Sequence, residues 1–210
     1  GPCWSAADEG DCSGWVSCDP AQCGGDVGRA LESEDADGEV AEGGEGLVAL
    51  FRGKVDEADQ VLGALPRAEL RERGLIGRCT FILLFNGAGE LCVHRRTLSK
   101  ALYPGFWDVA AGGMVTAGEG YAESAARELA EELGIDGVEL RFHERFYFDQ
   151  PNNRLWCAVY SAVSDAPLRL QPEEVIEARF IGLEQAEQES LSKPYCPDSL
   201  AALQRYKATL

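Results

Sequence analysis

Residues 113–135 constrain the fold more than any other part of the chain, because a helical spacing and a fixed set of charges coincide there. On a helix, Glu128, Glu131 and Glu132 stand at i, i+3 and i+4, so their carboxylates share one face within about one turn. Three like charges this close repel each other and normally need a compensating cation. Carboxylate oxygens suit Mg²⁺ or Mn²⁺, and Mg²⁺ commonly brings substrate phosphates with it. The segment therefore predicts a metal-binding helix.

The other residues of this segment predict where the helix docks and where it ends. An apolar stripe recurs at helical spacing and would pack closely on a sheet. It comprises Ala122, Ala125, Ala126, Leu129 and Leu133. Gly134 stands where a helix C-cap favours a residue that tolerates positive φ. The glutamates alone are more typical of a solvated surface helix, but the fixed spacing from Gly113 through Glu119 to Arg127 favours a functional site.

These residues match every fixed position of the signature of the Nudix hydrolase family, G-x5-E-x7-R-E-U-x-E-E-x-G-U, in which U is a bulky aliphatic residue. Leu129 and Ile135 fill the two U positions. The resemblance implies an α/β fold, namely an α/β/α sandwich with a mixed β-sheet and a loop-helix-loop metal site. It also implies an enzyme, a pyrophosphohydrolase that uses Mg²⁺ or Mn²⁺ to cleave a diphosphate linkage.

The resemblance assigns a role to each charged residue of the segment. It implies that three carboxylates bind the metal, namely Glu128, Glu131 and Glu132. One of them would also serve as the general base, and Glu128 is the favoured candidate. Arg127 would orient a glutamate through an ion pair, and Glu119 would support the loop. The carbonyl of Gly113 is a further candidate metal ligand.

A basic segment upstream is the candidate phosphate-binding side of the site. Strand alternation places Arg95 and Arg96 on opposite faces, so at most one of them faces the site. Arg96 and Lys100 could converge on a substrate diphosphate across a loop, one as a fork of donors and the other as a point charge. An exposed basic loop is the alternative for this segment taken alone.

A narrower resemblance runs through residues 55–108, including Arg95-Arg96-Thr97 and Lys100. This stretch is similar to the Nudix branch that contains YfcD-type hydrolases and isopentenyl-diphosphate isomerases. With the strands that follow, the similarity covers roughly residues 47–205. In the isomerases, the basic pair that matches Arg96 and Lys100 helps to hold the substrate diphosphate, which implies the same role here.

The same comparison disfavours isomerase activity. Isomerases carry a catalytic cysteine soon after the tryptophan of this region, followed by a metal-binding histidine, and residues 107–113 contain neither. Allylic isomerisation needs a proton donor and a proton acceptor on opposite faces of the double bond. Hydrolysis needs only charge neutralisation, an activated water and an anionic leaving group. The missing cysteine therefore favours a hydrolase.

Two further features are candidates for the rest of the site. Glu173 or Glu174 is a second candidate for the general base, although a solvated turn after Pro172 is the slightly favoured interpretation. Four aromatic side chains could stack a nucleobase, although aromatics at such positions are more often part of a core. They are Phe106, Trp107, Tyr147 and Trp156.

Charge divides the chain into two parts. The net charge is −17, and residues 1–46 contain twelve acidic residues and one basic residue, Arg29, a net of −11. This part has too few large apolar groups to offset the entropy cost of ordering, so we expect a flexible acidic extension followed by a Nudix domain at 47–210. The extension is too acidic for a transit peptide and lacks the apolar core of a secretory signal.

Composition also limits the partners. The chain lacks the clustered cations that a nucleic acid polymer requires, and no apolar run approaches the ~20 residues of a membrane span. The sequence therefore predicts a soluble protein that acts on a small-molecule diphosphate and could form a homodimer. The cytoplasm is the favoured compartment, with an organelle left open.

The eight cysteines fall into two groups of four. The first group lies in the extension and comprises Cys3, Cys12, Cys18 and Cys23. Its spacing lacks the close C-x2-C pairs of a zinc site, so incidental thiols are favoured over zinc. The second group is Cys79, Cys92, Cys157 and Cys196, of which the first three lie in strand-like runs as small core residues. A disulfide framework is not expected.

Apolar runs and turn residues predict strands at 47–51, 78–85, 90–96, 106–111, 139–149, 155–163 and 177–181. Helices are predicted at 67–73 and 198–207, in addition to the carboxylate helix. The run at 78–85 is nearly all apolar, as in a strand that is buried on both faces. A mixed sheet between helices fits this order.

The leading functional hypothesis is a metal-dependent hydrolase that cleaves a diphosphate linkage in a nucleoside diphosphate derivative. An isomerase-like enzyme acting on an isoprenoid diphosphate is the second hypothesis. A non-catalytic Nudix module that binds a ligand is the third. The intact cluster of Arg127, Glu128, Glu131 and Glu132 argues against the third, because drift usually erodes such a cluster first.

Overall fold

The computed structural model describes residues 51–210 of the chain. The predicted acidic extension, the domain boundary at residue 47 and the first group of cysteines lie outside these residues. The strand predicted at 47–51 overlaps them only at Phe51. Within the described residues, no helix has both the length and the apolar character needed to cross a membrane.

The described residues form eight strands and four helices. The strands are β1 (Phe51–Val55), β2 (Val61–Pro66), β3 (Ile76–Phe85), β4 (Leu91–Arg96), β5 (Trp107–Asp108), β6 (Arg141–Gln150), β7 (Asn153–Val163) and β8 (Val175–Ile181). The helices are α1 (Arg67–Glu72), α2 (Tyr121–Leu133), α3 (Leu183–Ser190) and α4 (Pro197–Lys207). All the strands belong to one sheet of mixed direction.

Strand β3 is central, and its residues are buried along nearly its whole length. It runs parallel to β7, with pairs from Gly77 and Leu155 to Phe85 and Val163, and antiparallel to β1. Strand β7 pairs antiparallel with β6, whereas β4 pairs antiparallel with β5 and β8. A continuous apolar run is what a strand covered on both faces needs, so the prediction for 78–85 is confirmed.

The core lies in two layers, one on each face of β3. In one layer, Ile82 packs with Leu129 of α2. In the other, Leu83 belongs to a cluster that includes Leu203 of α4. Because neighbouring strand residues point to opposite faces, this division places helices on both sides of the sheet. The predicted α/β sandwich with a mixed sheet is confirmed.

The buried face of α2 differs from the predicted apolar stripe at two positions. Three of the predicted residues are buried, namely Ala125, Leu129 and Leu133. Ala122 and Ala126 are exposed, and Ser124 and Glu132 are buried instead. A carboxylate can occupy the buried face because the N–H of Gly112 donates a hydrogen bond to Glu132.

Two elements were not predicted. Strand β2 lies at an edge and its first four residues are exposed, so its sequence lacks the alternation of a half-buried strand. Helix α3 buries only Ala186 and therefore lacks an apolar stripe. The strand predicted at 106–111 is shorter than expected, since β5 contains only Trp107 and Asp108. The strand predicted at 47–51 shares only Phe51 with β1, which runs from Phe51 to Val55. The remaining predicted elements agree with the observed bounds to within two residues.

The cysteines within the described residues are core residues. They are Cys79, Cys92, Cys157 and Cys196, and all are buried and free of disulfide bonds. Burial raises the pKa of each thiol, which keeps it protonated at neutral pH. The prediction of small core residues without a disulfide framework is confirmed for this part of the chain.

Candidate active site

Helix α2 places its carboxylates beside the loop at residues 112–113. Leu129 and Leu133 anchor the helix in the core, and Gly134 ends it in the left-handed region at φ 70°. The N–H of Gly134 donates to the carbonyl of Ala130 at 3.0 Å. A Cβ at position 134 would lie 2.6 Å from the Cβ of Arg169, so both conformation and space require glycine. The predicted helix C-cap is confirmed.

Arg127 joins three glutamates of this region. Its Nε and Nη2 donate to the two carboxylate oxygens of Glu119, at 2.8 and 2.9 Å. Its Nη1 donates to Glu128 at 2.9 Å and to Glu131 at 3.1 Å. Burial acts to raise the pKa of Glu119, but hydrogen bonds from Arg127 and the Thr116 N–H lower it below its ordinary value. Arg127 therefore ties the loop before α2 to the helix and orients Glu128.

Glu128, which is largely buried, and Glu132, which is buried, form an acidic cluster. Glu132 is 4 % exposed, and its Oε2 accepts a hydrogen bond from the N–H of Gly112 at 3.1 Å. The Glu128 carboxylate lies so close to Gly113 that a Cβ there would be 2.7 Å from its Oε1. Burial, together with the charge of Glu128, raises the pKa of Glu132 to about 8. Burial also raises the pKa of Glu128, although Arg127 opposes this. Two carboxylates that resist ionisation in this way suit a bound cation.

Some of the oxygen atoms predicted to bind a divalent cation are suitably placed, and others are not. Among residues 51–210, no three carboxylate, thiolate or imidazole groups are already arranged to hold a metal ion. The Glu131 side chain is 49 % exposed, whereas the Glu128 side chain is 12 % exposed and Glu132 is buried. The carbonyl of Gly113 accepts a hydrogen bond from the Thr80 N–H at 3.0 Å and keeps a second lone pair. The oxygens of Glu128, Glu132 and Gly113 suit Mg²⁺ or Mn²⁺, and the metal-binding roles of these residues stay predictions.

Basic residues from separate parts of the chain line the same pocket as the glutamates, which we call the outer pocket. They are Arg52, Arg67, Arg96, Lys100 and Arg127. Nη1 of Arg96 donates to Asp108 at 3.3 Å, and Lys100 forms an ion pair with Glu174. Burial and the charge of Arg96 lower the pKa of Lys100 to about 8. The fold therefore brings Arg96 and Lys100 together beside the acidic cluster.

Two arginines of the outer pocket were not predicted from the sequence. Arg52 lies in β1, and Arg67 is the first residue of α1. Pro66 before Arg67 is a signal for the start of a helix, but it does not indicate where the side chain points. Arg52 carries no local signal, because its position depends on the pairing of β1 with β3.

Of two pairs of residues that the sequence left as alternatives, one member of each lines the outer pocket and the other does not. Glu174 lines the outer pocket, whereas Glu173 is exposed and does not. Arg96 lines the pocket, while Nε of Arg95 donates to the carbonyl of Gly105 at 3.1 Å. These placements make Glu174 the better of the two candidates for a second base.

The aromatic candidates lie elsewhere in the described residues. The ring of Trp107 stacks on that of Tyr195, with 6.3 Å between the ring centroids. The guanidinium carbon of Arg179 lies 4.7 Å from the centroid of the Trp107 ring. Trp156 packs on Tyr147 at 5.7 Å. None of the four, Phe106 included, lines the outer pocket. Their positions favour packing over the stacking of a nucleobase.

The pocket combines the carboxylates of a glutamate-rich helix with arginine and lysine side chains, on a mixed sheet between helices. This arrangement is typical of enzymes that act on phosphate anhydrides. The NUDIX domain description matches residues 75–201, and the chain belongs to the Nudix hydrolase family. Members of this family act on nucleoside diphosphate derivatives and generally need divalent cations. The predicted enzyme class, a Nudix pyrophosphohydrolase, is confirmed by this membership.

Relatives with the same family name share most of their length with this chain. The "Uncharacterized Nudix hydrolase PA4841" of Pseudomonas aeruginosa is 75 % identical over 152 residues, which are 72 % of this chain and 90 % of that protein. The "Uncharacterized Nudix hydrolase YfcD" of Escherichia coli K12 is 42 % identical over 149 residues, 71 % of this chain and 82 % of the relative. The predicted YfcD-type resemblance is confirmed, and the resemblance to isomerases stays a prediction.

The fold has counterparts among solved structures. DR0079 of Deinococcus radiodurans superposes with a TM-score of 0.64 and 26 % sequence identity, over 74 % of this chain and 99 % of that one. The MutT protein of Methanosarcina mazei Go1 gives a TM-score of 0.54 at 24 % identity, over 63 % and 94 % of the two chains. The second similarity shows the shared fold alone.

Proposed function

We propose that this protein is a Mg²⁺- or Mn²⁺-dependent hydrolase that cleaves the diphosphate linkage of a nucleoside diphosphate derivative. One observation carries the proposal: a buried acidic cluster and a group of basic side chains line one pocket. Glu128 and Glu132 supply the oxygens that a divalent cation prefers. Arg96 and Lys100 supply donors for phosphate oxygens. A diphosphate bound to a cation complements both sides at once.

Each side chain has a distinct task in this proposal. Glu128 and Glu132 would hold the divalent cation, which would supply charge neutralisation for the phosphates and activation of a water. Arg96 and Lys100 hold the diphosphate by its oxygens. Glu128 accepts the proton of the attacking water, and Arg127 fixes the orientation of its carboxylate. Glu174, which is paired with Lys100, is the second candidate for this base.

Hydrolysis is favoured over isomerisation by the lining of the outer pocket. No cysteine or histidine is among the described residues that form it. The pocket therefore lacks the thiol that would exchange protons with an allylic carbon. Hydrolysis of an anhydride needs no such thiol, since one phosphate gains the water oxygen, the other leaves, and the basic side chains can stabilise both anions.

A substrate panel with defined metals tests the proposal. We expect release of phosphate or of a nucleoside monophosphate from at least one nucleoside diphosphate derivative in the presence of Mg²⁺ or Mn²⁺. Excess EDTA should abolish the activity, and added metal should restore it. Activity that persists in EDTA would contradict metal dependence. Conversion of isopentenyl diphosphate to its allylic isomer would overturn the choice of hydrolysis.

Replacing Arg127 by Lys tests the positioning role of the guanidinium. We expect the metal-dependent rate to fall by about 10–100-fold, as for other groups that orient metal ligands. Lysine keeps the charge but cannot hold both oxygens of Glu119 and reach Glu128 as a planar fork does. Steady-state kinetics over a range of Mn²⁺ concentrations measure the effect. Arg141→Lys, at an exposed position of β6, is the matched control, and equal rates in the two variants would refute the role.

A further inference from the structure

A second, smaller pocket lies behind the outer pocket, and we call it the inner pocket. The two share a wall that consists of Arg67, Arg96, Gly112, Gly113 and Met114. Beyond this wall, Arg71 of α1 and the buried Asp108 and Asp198 line the inner pocket. A group that enters it would therefore lie next to whatever the outer pocket binds.

The inner pocket has unused hydrogen-bond donors. Arg67 and Arg71 form no hydrogen bond or ion pair through their side chains with any described residue, and Nε of Arg67 is buried without a partner. Burial and the nearby charge of Arg67 lower the pKa of Arg71 to about 10. A guanidinium group that loses water beside a second positive charge is costly unless an anion pairs with it.

The two acidic residues of the inner pocket already have partners. Asp108 accepts hydrogen bonds from Nη1 of Arg96 and from the N–H of Ala110, both at 3.3 Å. Asp198 accepts from Nδ2 of Asn153 and from its neighbouring backbone N–H at Ser199, both at 3.0 Å. Among the described residues, the acidic groups of the inner pocket therefore have hydrogen-bond partners, whereas the donors of Arg67 and Arg71 have none.

The size of the inner pocket limits what it can accept. Its volume is about 40 Å³. A cavity needs roughly 10–15 Å³ to accommodate the centre of one water molecule. The space therefore suits a group of three or four heavy atoms, such as a carboxylate or a phosphate, and is too small for a nucleobase or a sugar ring.

We propose that the inner pocket binds an additional oxyanion of the substrate, a carboxylate or a phosphate attached close to the diphosphate, through Arg67 and Arg71. The planar fork of an arginine matches the two oxygens of such a group. This inference rests on the proposed function, because it assigns the diphosphate to the outer pocket. It makes the charge of the group beside the diphosphate a determinant of specificity.

Matched pairs of substrates test this inference. UDP-glucuronate and UDP-glucose differ by one carboxylate, and ATP and ADP differ by one phosphate. We expect the wild-type protein to favour the more anionic member of at least one pair by about 10–100-fold in kcat/KM, the usual effect of a charged hydrogen-bonded contact. The pair that shows the preference identifies the kind of oxyanion.

Arg71→Met should remove this preference, because kcat/KM should fall more for the more anionic member of the pair than for the less anionic one. Arg71→Lys keeps the positive charge but loses the planar guanidinium, so this variant should retain part of the preference for the more anionic substrate. Arg73→Met is the matched control, since Arg73 is 55 % exposed and pairs with Glu69 instead. Circular dichroism and thermal melting verify that each variant is folded. An equal loss for both members of a pair, or an unchanged preference, would overturn the inference.

Calorimetric binding separates this inference from the proposed function. Titration with the same four compounds in the absence of added metal gives the preference as a ratio of dissociation constants, whether or not turnover occurs. Absence of turnover for all four compounds with a retained, Arg71-dependent ratio would count against the hydrolase and for the inner pocket. Turnover without any such ratio would support the hydrolase and refute the inner pocket.

Discussion

Replacing Glu128 by Gln is expected to lower kcat of metal-dependent hydrolysis by about 10²–10⁴-fold, the usual range for the loss of a general base. Glutamine has nearly the same shape and can still receive a hydrogen bond from Arg127, so the helix should stay in place. It cannot accept a proton from water, and a neutral amide oxygen is a weaker ligand than a carboxylate. The substitution therefore removes proton acceptance at position 128 and keeps the shape and hydrogen bonding of the side chain.

Steady-state kinetics of Glu128→Gln at saturating Mn²⁺ measure this effect. Glu123→Gln is the matched control, because Glu123 lies in the first turn of the same helix, is exposed and does not line the outer pocket. We expect the control to retain nearly the full rate. If Glu128→Gln hydrolyses the substrate as fast as the control, Glu128 is not the base, and the same experiment on Glu174 would test the alternative.

Replacing Gly112 by Ala is expected to destabilise the fold by about 3–5 kcal/mol, the combined cost of a strained backbone and an overpacked core. Gly112 has φ +145°, a conformation that a residue with a side chain rarely adopts. A Cβ there would lie 1.9 Å from the carbonyl oxygen of Thr80 in the central strand. That strand is buried on both faces, so the backbone cannot move aside without disturbing the core.

Urea denaturation followed by circular dichroism measures the free energy of unfolding of Gly112→Ala. Gly89→Ala is the control, since Gly89 has a positive φ of 78° and the position that its Cβ would take has no atom of the described residues within 4 Å. It should show the backbone strain alone, about 1–2 kcal/mol. Equal stabilities of the two variants would show that the close approach at Thr80 is not a constraint.

The carboxylate helix could be predicted from sequence because its signals are local. The spacing of Glu128, Glu131 and Glu132 follows from the helical period, and the end at Gly134 follows from the φ that a C-cap requires. The sequence pattern did not show that Glu131 would be exposed while Glu132 is buried. That difference depends on how the helix rotates against the sheet.

Burial explains why β3 was predicted from the sequence and β2 was not. The apolar run that forms β3 is buried whatever its neighbours are, so composition was enough to predict it. Strand β2 exposes most of its residues and depends on pairing with β1, so its sequence contains little information about its conformation. Helix α3, which buries only Ala186, is the helical counterpart.

The sequence by itself determined the family, the enzyme class and the helix that carries the candidate metal-binding carboxylates, because each depends on residues within a few helical turns of one another. Only the tertiary structure decided which basic side chains line a pocket with these carboxylates. Arg52 and Arg67 come from β1 and α1, and they line the same pocket as Glu128 only because the fold brings these elements together. The inner pocket likewise joins α1 to Asp198 of α4. Contacts between residues so far apart depend on strand register and helix rotation, which no local spacing specifies.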